Sequence, residues 1–171
     1  MQGPVIRKAL TSEVEALADI GYAAWDKDLR PLLAGPAANR GLERRRLSHE
    51  VHASLDRIIV AELDEMPVGW CSRARGRAYI PYLFVAPLLQ NHGIGTLLLN
   101  RMEAMLELEG ADRVQLNTLA DNVRAVSFYQ HQGYRILAMR PEDQSAHNPE
   151  TSVRLEKRLS PYRGPIGDVD E

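Results

Sequence analysis

Two glycines, Gly93 and Gly95, fall in the first turn of a long helical pattern that follows directly on an apolar, strand-like run (residues 85–96, VAPLLQNHGIGT). Each glycine costs roughly 1 kcal/mol relative to alanine inside a helix, so stability alone does not place them there. At a strand-to-helix junction they let a ligand approach the backbone closely. They also leave free N–H groups aimed outward along the positive helix end, a combination that binds phosphate. Glycines that merely shape a tight turn would have the same spacing. No Gly-Lys-Ser/Thr follows, so the segment is not a P-loop. It is a poor dinucleotide fingerprint too, because Leu98 stands where the third glycine belongs.

The periodicity around this junction predicts one domain over residues 1–159 and a tail over 160–171 that has no pattern of its own. A strand is expected at 5–9. A helix should follow, opened by a capping box of Thr11 or Ser12 with Glu15 and running to about Trp25. Residues 26–41 carry Pro31, Gly35, Pro36 and Gly41 and predict a loop or broken helix. A second helix is expected over 42–55, then a hairpin of strands at 57–63 and 68–73 around a turn at 64–67. Strand 78–85 contains Pro81, which has no N–H to donate, so one of its edges should be open or bulged there. The helix at 93–109 is followed by a strand at 113–119. A short helix over 122–132, capped by Asp121 or Asn122 and stopped by Gly133, comes next. Strands at 134–139 and 152–158, joined by a polar loop, complete the order β-α-α-β-β-β-α-β-α-β-β. That order implies an α/β fold with a mixed sheet, helices on both faces and a parallel crossover from 78–85 to 113–119.

The residues of the junction, Gln90-Asn91-His92-Gly93-Ile94-Gly95, resemble the acetyl-CoA loop (Gln/Arg-x-x-Gly-x-Gly/Ala) of the GNAT superfamily of N-acetyltransferases, and Val85-x-Pro87 precedes them as in many members. A second segment, residues 117–134 (NTLADNVRAVSFYQHQGY), is similar to another signature of the same superfamily. It offers a strand, Asn122 opening a helix, the pair Phe128-Tyr129, then Gly133-Tyr134. Asn122 and Tyr129 are nearly two helical turns apart, about 10 Å along the axis, so both can meet one extended ligand arm. The resemblance covers about residues 5–159.

The resemblance implies the GNAT fold, acetyl-CoA as co-substrate, and direct transfer of the acetyl group to a small-molecule or peptide amine in a ternary complex. The pyrophosphate would lie on Gln90, Asn91, His92, Gly93, Ile94, Gly95 and Thr96. The pantetheine would lie between two splayed parallel strands, against Leu83, Phe84, Val85, Asn117, Asn122 and Tyr129. Backbone N–H groups near Val85 would receive the thioester carbonyl. Tyr129 matches the tyrosine that protonates the departing thiolate. The positions at which some members carry a glutamate base are here Tyr79 and Asn117, so water, Tyr79, Tyr82 or an acceptor-loop residue is left to take the amine proton. His92, inside the phosphate loop, reads as a loop residue or phosphate contact rather than a base. A CoA-binding regulatory module without transferase activity is the main alternative. A nucleotide-binding protein with a glycine-rich turn is a second.

Other features narrow the reading. A net charge of −2 and a pI near 6.2 give no basic excess for nucleic acid. No apolar run approaches the ~20 residues that span a bilayer, no signal-peptide core opens the chain, and the single cysteine, Cys71, fits a reducing compartment. The expectation is a cytoplasmic enzyme without nucleic-acid or membrane partners, and a homodimer is compatible. No His/Cys/Asp cluster has metal-ligand spacing. Cys71 reads as a small buried apolar residue. Arg44-Arg45-Arg46 reads as a solvated helix face or a contact for an anionic substrate. Asp19, Asp26 and Asp28 lie where they could attract a cationic amine.

Overall fold

In the computed structural model, which describes residues 2–141 and 151–160, strands and helices follow the expected order. Strands β1 (Val5–Lys8), β2 (Ile58–Leu63), β3 (Met66–Ser72) and β4 (Leu83–Val85) form an antiparallel sheet in that spatial order. Strands β5 (Arg113–Leu119), β6 (Arg135–Pro141) and β7 (Thr151–Arg158) form a second, with β7 in the middle. The expected tail, from residue 161 on, and most of the loop expected before β7 lie outside the described residues. The β2–β3 turn is tighter than expected. Asp64 and Glu65 both have positive φ (50° and 64°), the geometry of a two-residue hairpin turn whose twist matches its strands, so Met66 and Pro67 already belong to β3.

The expected continuous strand at 78–85 is split, and Pro81 is the cause. Before it, the chain pairs in parallel with β5: Gln115 N–H donates to Ala78 O (3.1 Å) and Ile80 N–H to Gln115 O (3.0 Å). After it, the chain pairs with β3 alone, through Ser72 N–H to Tyr82 O (3.0 Å) and Ala86 N–H to Val68 O (2.8 Å). Tyr79 O also accepts from the chain just beyond β3 on the same side, through Ala74 N–H (2.8 Å). Bonds toward one neighbour normally fall on every second residue, yet here residues 79, 82 and 86 all face β3. The alternation has slipped by one at the residue that has no N–H. The mixed sheet is therefore two antiparallel sheets joined by one short parallel contact, and beyond Ile80 they diverge.

Helix α1 (Val14–Asp28) and helix α2 (Arg40–Ser54) cover one face of the first sheet. Leu17, Ala18, Leu47 and Val51 are buried there against Ile58, Val60 and Trp70. Helix α3 (Ile94–Leu108) lies on the opposite face, where Leu98, Leu99, Met102 and Leu106 pack on Ile59, Ala61, Cys71, Val114 and Leu116. A short helix α4 (Val123–His131) is capped as expected by Asn122, whose Oδ1 accepts from Ala125 N–H (3.2 Å).

Three local expectations change. The N-terminal cap of the first helix comes from Glu13, not from Thr11 or Ser12 with Glu15. Glu13 accepts from Leu10 N–H (2.9 Å) while Arg7 of β1 grips it from behind (2.5 Å), and a short turn at Thr11–Glu13 leads into α1. The helix also runs past Trp25 to Asp28. The segment to Gly41 is two short 3-10 turns, Arg30–Leu32 and Gly35–Ala38, before Asn39 Oδ1 caps α2 through Leu42 N–H (2.9 Å). Finally, Arg45 and Arg46 are exposed as expected of a solvated face, but Arg44 and Arg46 are also tied to neighbours. Arg44 bridges to Glu15 and Asp19 of α1 (both 2.8 Å), and Arg46 pairs with Glu43 and donates to Tyr82 Oη (2.6 Å).

Trp70 ties α1 to the sheet. Its indole N–H donates to Leu17 O (2.8 Å), and its ring meets Phe84 edge-on at 5.3 Å. Gly21 makes room for it, since a Cβ there would stand 3.2 Å from both Trp70 and Phe84. Trp70→Phe removes the hydrogen bond and leaves a void, at a cost of about 1–3 kcal/mol. At roughly 2–4 °C per kcal/mol for a chain this size, the thermal midpoint is expected to fall by several degrees. An unchanged midpoint would contradict this packing account.

Candidate functional site

The divergence after Pro81 opens a cavity of about 760 Å³ bounded by β4, the start of α3, α4 and the last turn of α1. Residues 82 and 86 hydrogen-bond to β3, and ladder bonds alternate along an antiparallel strand. Leu83 and Val85 therefore turn their N–H and C=O groups the other way, toward the cavity they line. They belong to a strand edge that has lost its parallel partner; the Val85 C=O is taken by the Gln90 side chain (3.2 Å), which leaves the Leu83 groups and the Val85 N–H for an extended ligand.

The loop from β4 to α3 builds the other end. Asn91 and Gly93 both have left-handed backbones (φ 64° and 84°). Gly93 caps α3 without a side chain, its C=O accepting from Leu97 N–H (3.1 Å). The N–H groups of Ile94, Gly95 and Thr96 thus begin the helix with no intrahelical acceptor, and all three residues line the cavity. Successive N–H groups around a left-handed residue make an anion-binding concavity, reinforced by the helix dipole. Gly95 leaves that floor bare. A Cβ there would meet only the Phe128 ring at 3.6 Å and Val85 at 3.8 Å, in ordinary contact.

Gln90 braces the loop from below. Its Nε2 donates to Val85 O (3.2 Å) and to Asp28 Oδ2 (3.0 Å), and its Oε1 accepts from Lys27 Nζ (2.8 Å). The loop is therefore fastened to both β4 and the end of α1. From α4, Asn122 and Tyr129 reach the cavity together. The Tyr129 ring is wedged between Phe128 (5.1 Å) and Tyr134 (5.6 Å), both edge-to-face. Burial pushes its hydroxyl well above the ordinary phenol pKa, and Cys71 and Tyr79 nearby add to the shift. Tyr129 stays protonated throughout the physiological range.

Of the residues expected at the site, Leu83, Phe84, Val85, Gln90, Asn91, Gly93, Ile94, Gly95, Thr96, Asn122 and Tyr129 line this one cavity, and four others do not. His92 is turned back on the loop, its Nδ1 2.7 Å from Gln90 O. Asn117 Oδ1 accepts from Arg154 (3.1 Å). Tyr79 lies beneath the Arg77 guanidinium, 4.4 Å from its centroid. Tyr82 packs among Trp70, Phe84 and Arg46, and burial pushes its pKa up. A phenol so placed is a poor proton acceptor. Cys71 is fully buried and its thiol is pushed up by burial, so it is no nucleophile. Of the three expected acidic residues, Asp19 is held by Arg44 and Asp26 by Arg30 and Arg40 (2.5 and 2.9 Å), while Asp28 lines the cavity.

Two cations in the lining, Lys27 and Arg124, were not among the expected residues. Arg124 sits two residues after Asn122 on the first turn of α4 and donates to Asn91 Oδ1 (3.3 Å), a position that the helical spacing from Asn122 could have revealed. Lys27 could not be found that way, because it depends on how far α1 runs. Lys27 comes from α1 and Arg124 from α4, so two different helices bring positive charge to this cavity.

The two glycines play different parts, and substitution separates them. Gly93→Ala forces an L-residue into a left-handed backbone at a cost of about 1–2 kcal/mol. Gly95→Ala removes a helical glycine at a site with ordinary clearance and should be neutral or stabilising by up to about 1 kcal/mol. Urea midpoints of the two variants test this, and equal shifts in the same direction would contradict the assigned geometry.

Comparison with known proteins agrees with this geometry. The family model described as "Acetyltransferase (GNAT) family" matches residues 22–134. The uncharacterized protein YdhI of Bacillus subtilis is 41% identical over 74 residues, which span 43% of this chain and 41% of that protein. The PaiA N-acetyltransferase of Thermoplasma acidophilum, solved in complex with coenzyme A, superposes with a TM-score of 0.76 at 17% identity, over 92% of this chain and all (100%) of that one. A GCN5-related N-acetyltransferase from Rhodopseudomonas palustris does so with a TM-score of 0.74 at 20% identity, over 93% and 98% of the two chains. With its left-handed loop, its diverging strands and a family match over most of its length, the chain belongs to the GNAT acetyltransferase family.

Proposed function

We propose that the protein transfers an acetyl group from acetyl-CoA to an amine, directly and within a ternary complex. The observation that carries this reading is the meeting of three features at one cavity: the left-handed Asn91–Gly93 turn at the α3 N-terminus, the edge of Leu83 and Val85, and Tyr129. The pyrophosphate fits the turn, where Lys27 and Arg124 supply charge. The pantetheine amides fit the β4 edge as a missing strand would, and the thioester carbonyl then reaches a backbone N–H that stabilises the developing oxyanion.

The amine nitrogen attacks the carbonyl carbon, forming the C–N bond. The tetrahedral adduct collapses as the C–S bond breaks, and the thiolate takes its proton from Tyr129. The proton lost by the nitrogen leaves to water, and solvent restores Tyr129. Among the described lining residues Asp28 is the one carboxylate, and it is occupied by Gln90, so water rather than a side chain is assigned as the proton acceptor. That same lack of a carboxylate at the diverging strands favours the second reading, a CoA-binding regulatory module. An amine panel (polyamines, amino acids, aminoglycosides, N-terminal and lysine peptides) with acetyl-CoA and a free-thiol readout decides between them. Thiol release with at least one amine supports the transferase. CoA binding with no release across the panel supports the module.

Positioned general acids typically contribute 10²–10⁴-fold. Tyr129→Phe keeps the ring packing and should lower kcat by about that factor, with the acetyl-CoA dissociation constant within about threefold. Wild-type kcat in this variant would contradict the role. The pH profile carries a second expectation. With water as the acceptor, kcat/KM for the amine should keep rising toward the amine's own pKa, about 10 for an alkyl amine. A plateau beginning near pH 7 would instead show a base on the protein.

A further inference from the structure

The three strands β5, β6 and β7 each place an arginine at the same end of the second sheet, and these residues line a second cavity of about 330 Å³. Arg113 and Arg158 are cross-strand partners in register. Their faces are settled by alternation: Val114 and Leu116 point into the core against α3, so Arg113 and Gln115 point to the other face. Gln115 pairs in register with Glu156 and Arg135 does too, which brings all three guanidiniums to one surface. Like charges directly opposite each other on neighbouring strands are destabilising, so the Arg113–Arg158 pair has no structural merit on its own.

The carboxylates nearby do not use up these donors. Glu156 is buried and its Oε2 accepts from Gln115 Nε2 (2.7 Å). It stands 3.5 Å from Arg135 and 3.9 Å from Arg113, near the outer limit of ion pairing. Asp112 lies 3.5 Å from Arg113. Among the described residues, Arg158 has no ion-pair or side-chain hydrogen-bond partner. Glu156 thus acts as an internal strut that keeps two guanidiniums at the cavity mouth, and the third has no such partner among the described residues.

We infer that the cavity formed by Arg113, Arg135 and Arg158 is a binding site for a phosphate group, separate from the acetyl-CoA cavity. Planar guanidinium forks match the oxygens of a phosphate and bind it bidentately, and a dianion between Arg113 and Arg158 removes the repulsion that the empty pair carries. The phosphate comes either as the free ion or as the phosphoryl end of a larger molecule. A phosphate monoester distinguishes the two sources.

The test compares the wild type with Arg113→Gln/Arg158→Gln by calorimetric titration and thermal unfolding at constant ionic strength, using inorganic phosphate and glycerol phosphate. Both titrations are made with CoA at saturation, so that the glycine turn is already filled. The wild type is expected to bind phosphate at least tenfold more tightly than the variant and to gain thermal midpoint with it. In chloride alone the variant should be the more stable of the two, because a like-charged pair has been removed. Glycerol phosphate binding more tightly than inorganic phosphate identifies a phosphoryl-bearing molecule as the ligand, and equal affinity identifies the free ion. Equal phosphate affinity, or an equal rise in midpoint, in wild type and variant would overturn the site.

Discussion

Pro81 has no amide hydrogen, and the architecture of the candidate active site depends on that absence. A strand between two neighbours must offer donors on both sides, and at residue 81 this one cannot. The parallel pairing with β5 stops at Ile80, the alternation slips by one residue, and the chain continues bonded to β3 alone. An edge appears in the interior of what would otherwise be one sheet. Exposed edges ordinarily invite pairing, and an extended pantetheine has the amide groups to accept the invitation.

Keeping the gap open requires rigid walls. Phe84 is held from one side by Trp70 and by Tyr82, which stacks on it at 5.8 Å, and Arg46 pins Tyr82 in turn. Below the sheet, α3 is seated by Leu98, Leu99 and Met102, which fixes the direction of its N-terminal N–H groups. Gln90 then joins β4, the glycine turn and the end of α1 into one frame. The cavity is thus bordered by elements packed in two separate cores, one on each face of the first sheet.

The parts of this design that were legible in the sequence are those written in local chemistry. Gly93 and Gly95 mark the strand-to-helix junction, and the left-handed backbone of Gly93 is the part of that signal the fold itself uses. Asn122 and Gly133 mark both ends of α4, and Pro81 by itself implies an open or bulged edge. What could not be read was long-range. Lys27 and Asp28 enter the site because α1 persists through the charged run after Trp25 and ends against Gln90, 63 and 62 residues further on respectively. Tyr79 and Tyr82 were reasonable proton acceptors by sequence position, but the slip at Pro81 and the grip of Arg46 on Tyr82 are properties of the fold. The two-residue turn at Asp64 and Glu65 is hidden for another reason: Asp64 suits a positive φ, but Glu65 stands where glycine is usual.

The claim that the edge of β4 is the cofactor's seat is open to direct measurement by amide hydrogen exchange at single residues. In the free protein, Leu83 and Val85 should exchange much faster than Phe84 and Ala86, whose N–H groups face β3. Saturation with CoA should slow Leu83 and Val85 by at least tenfold and leave the other two nearly unchanged. Four amides equally protected in the free protein, or Leu83 and Val85 still exchanging rapidly with CoA bound, would contradict the account.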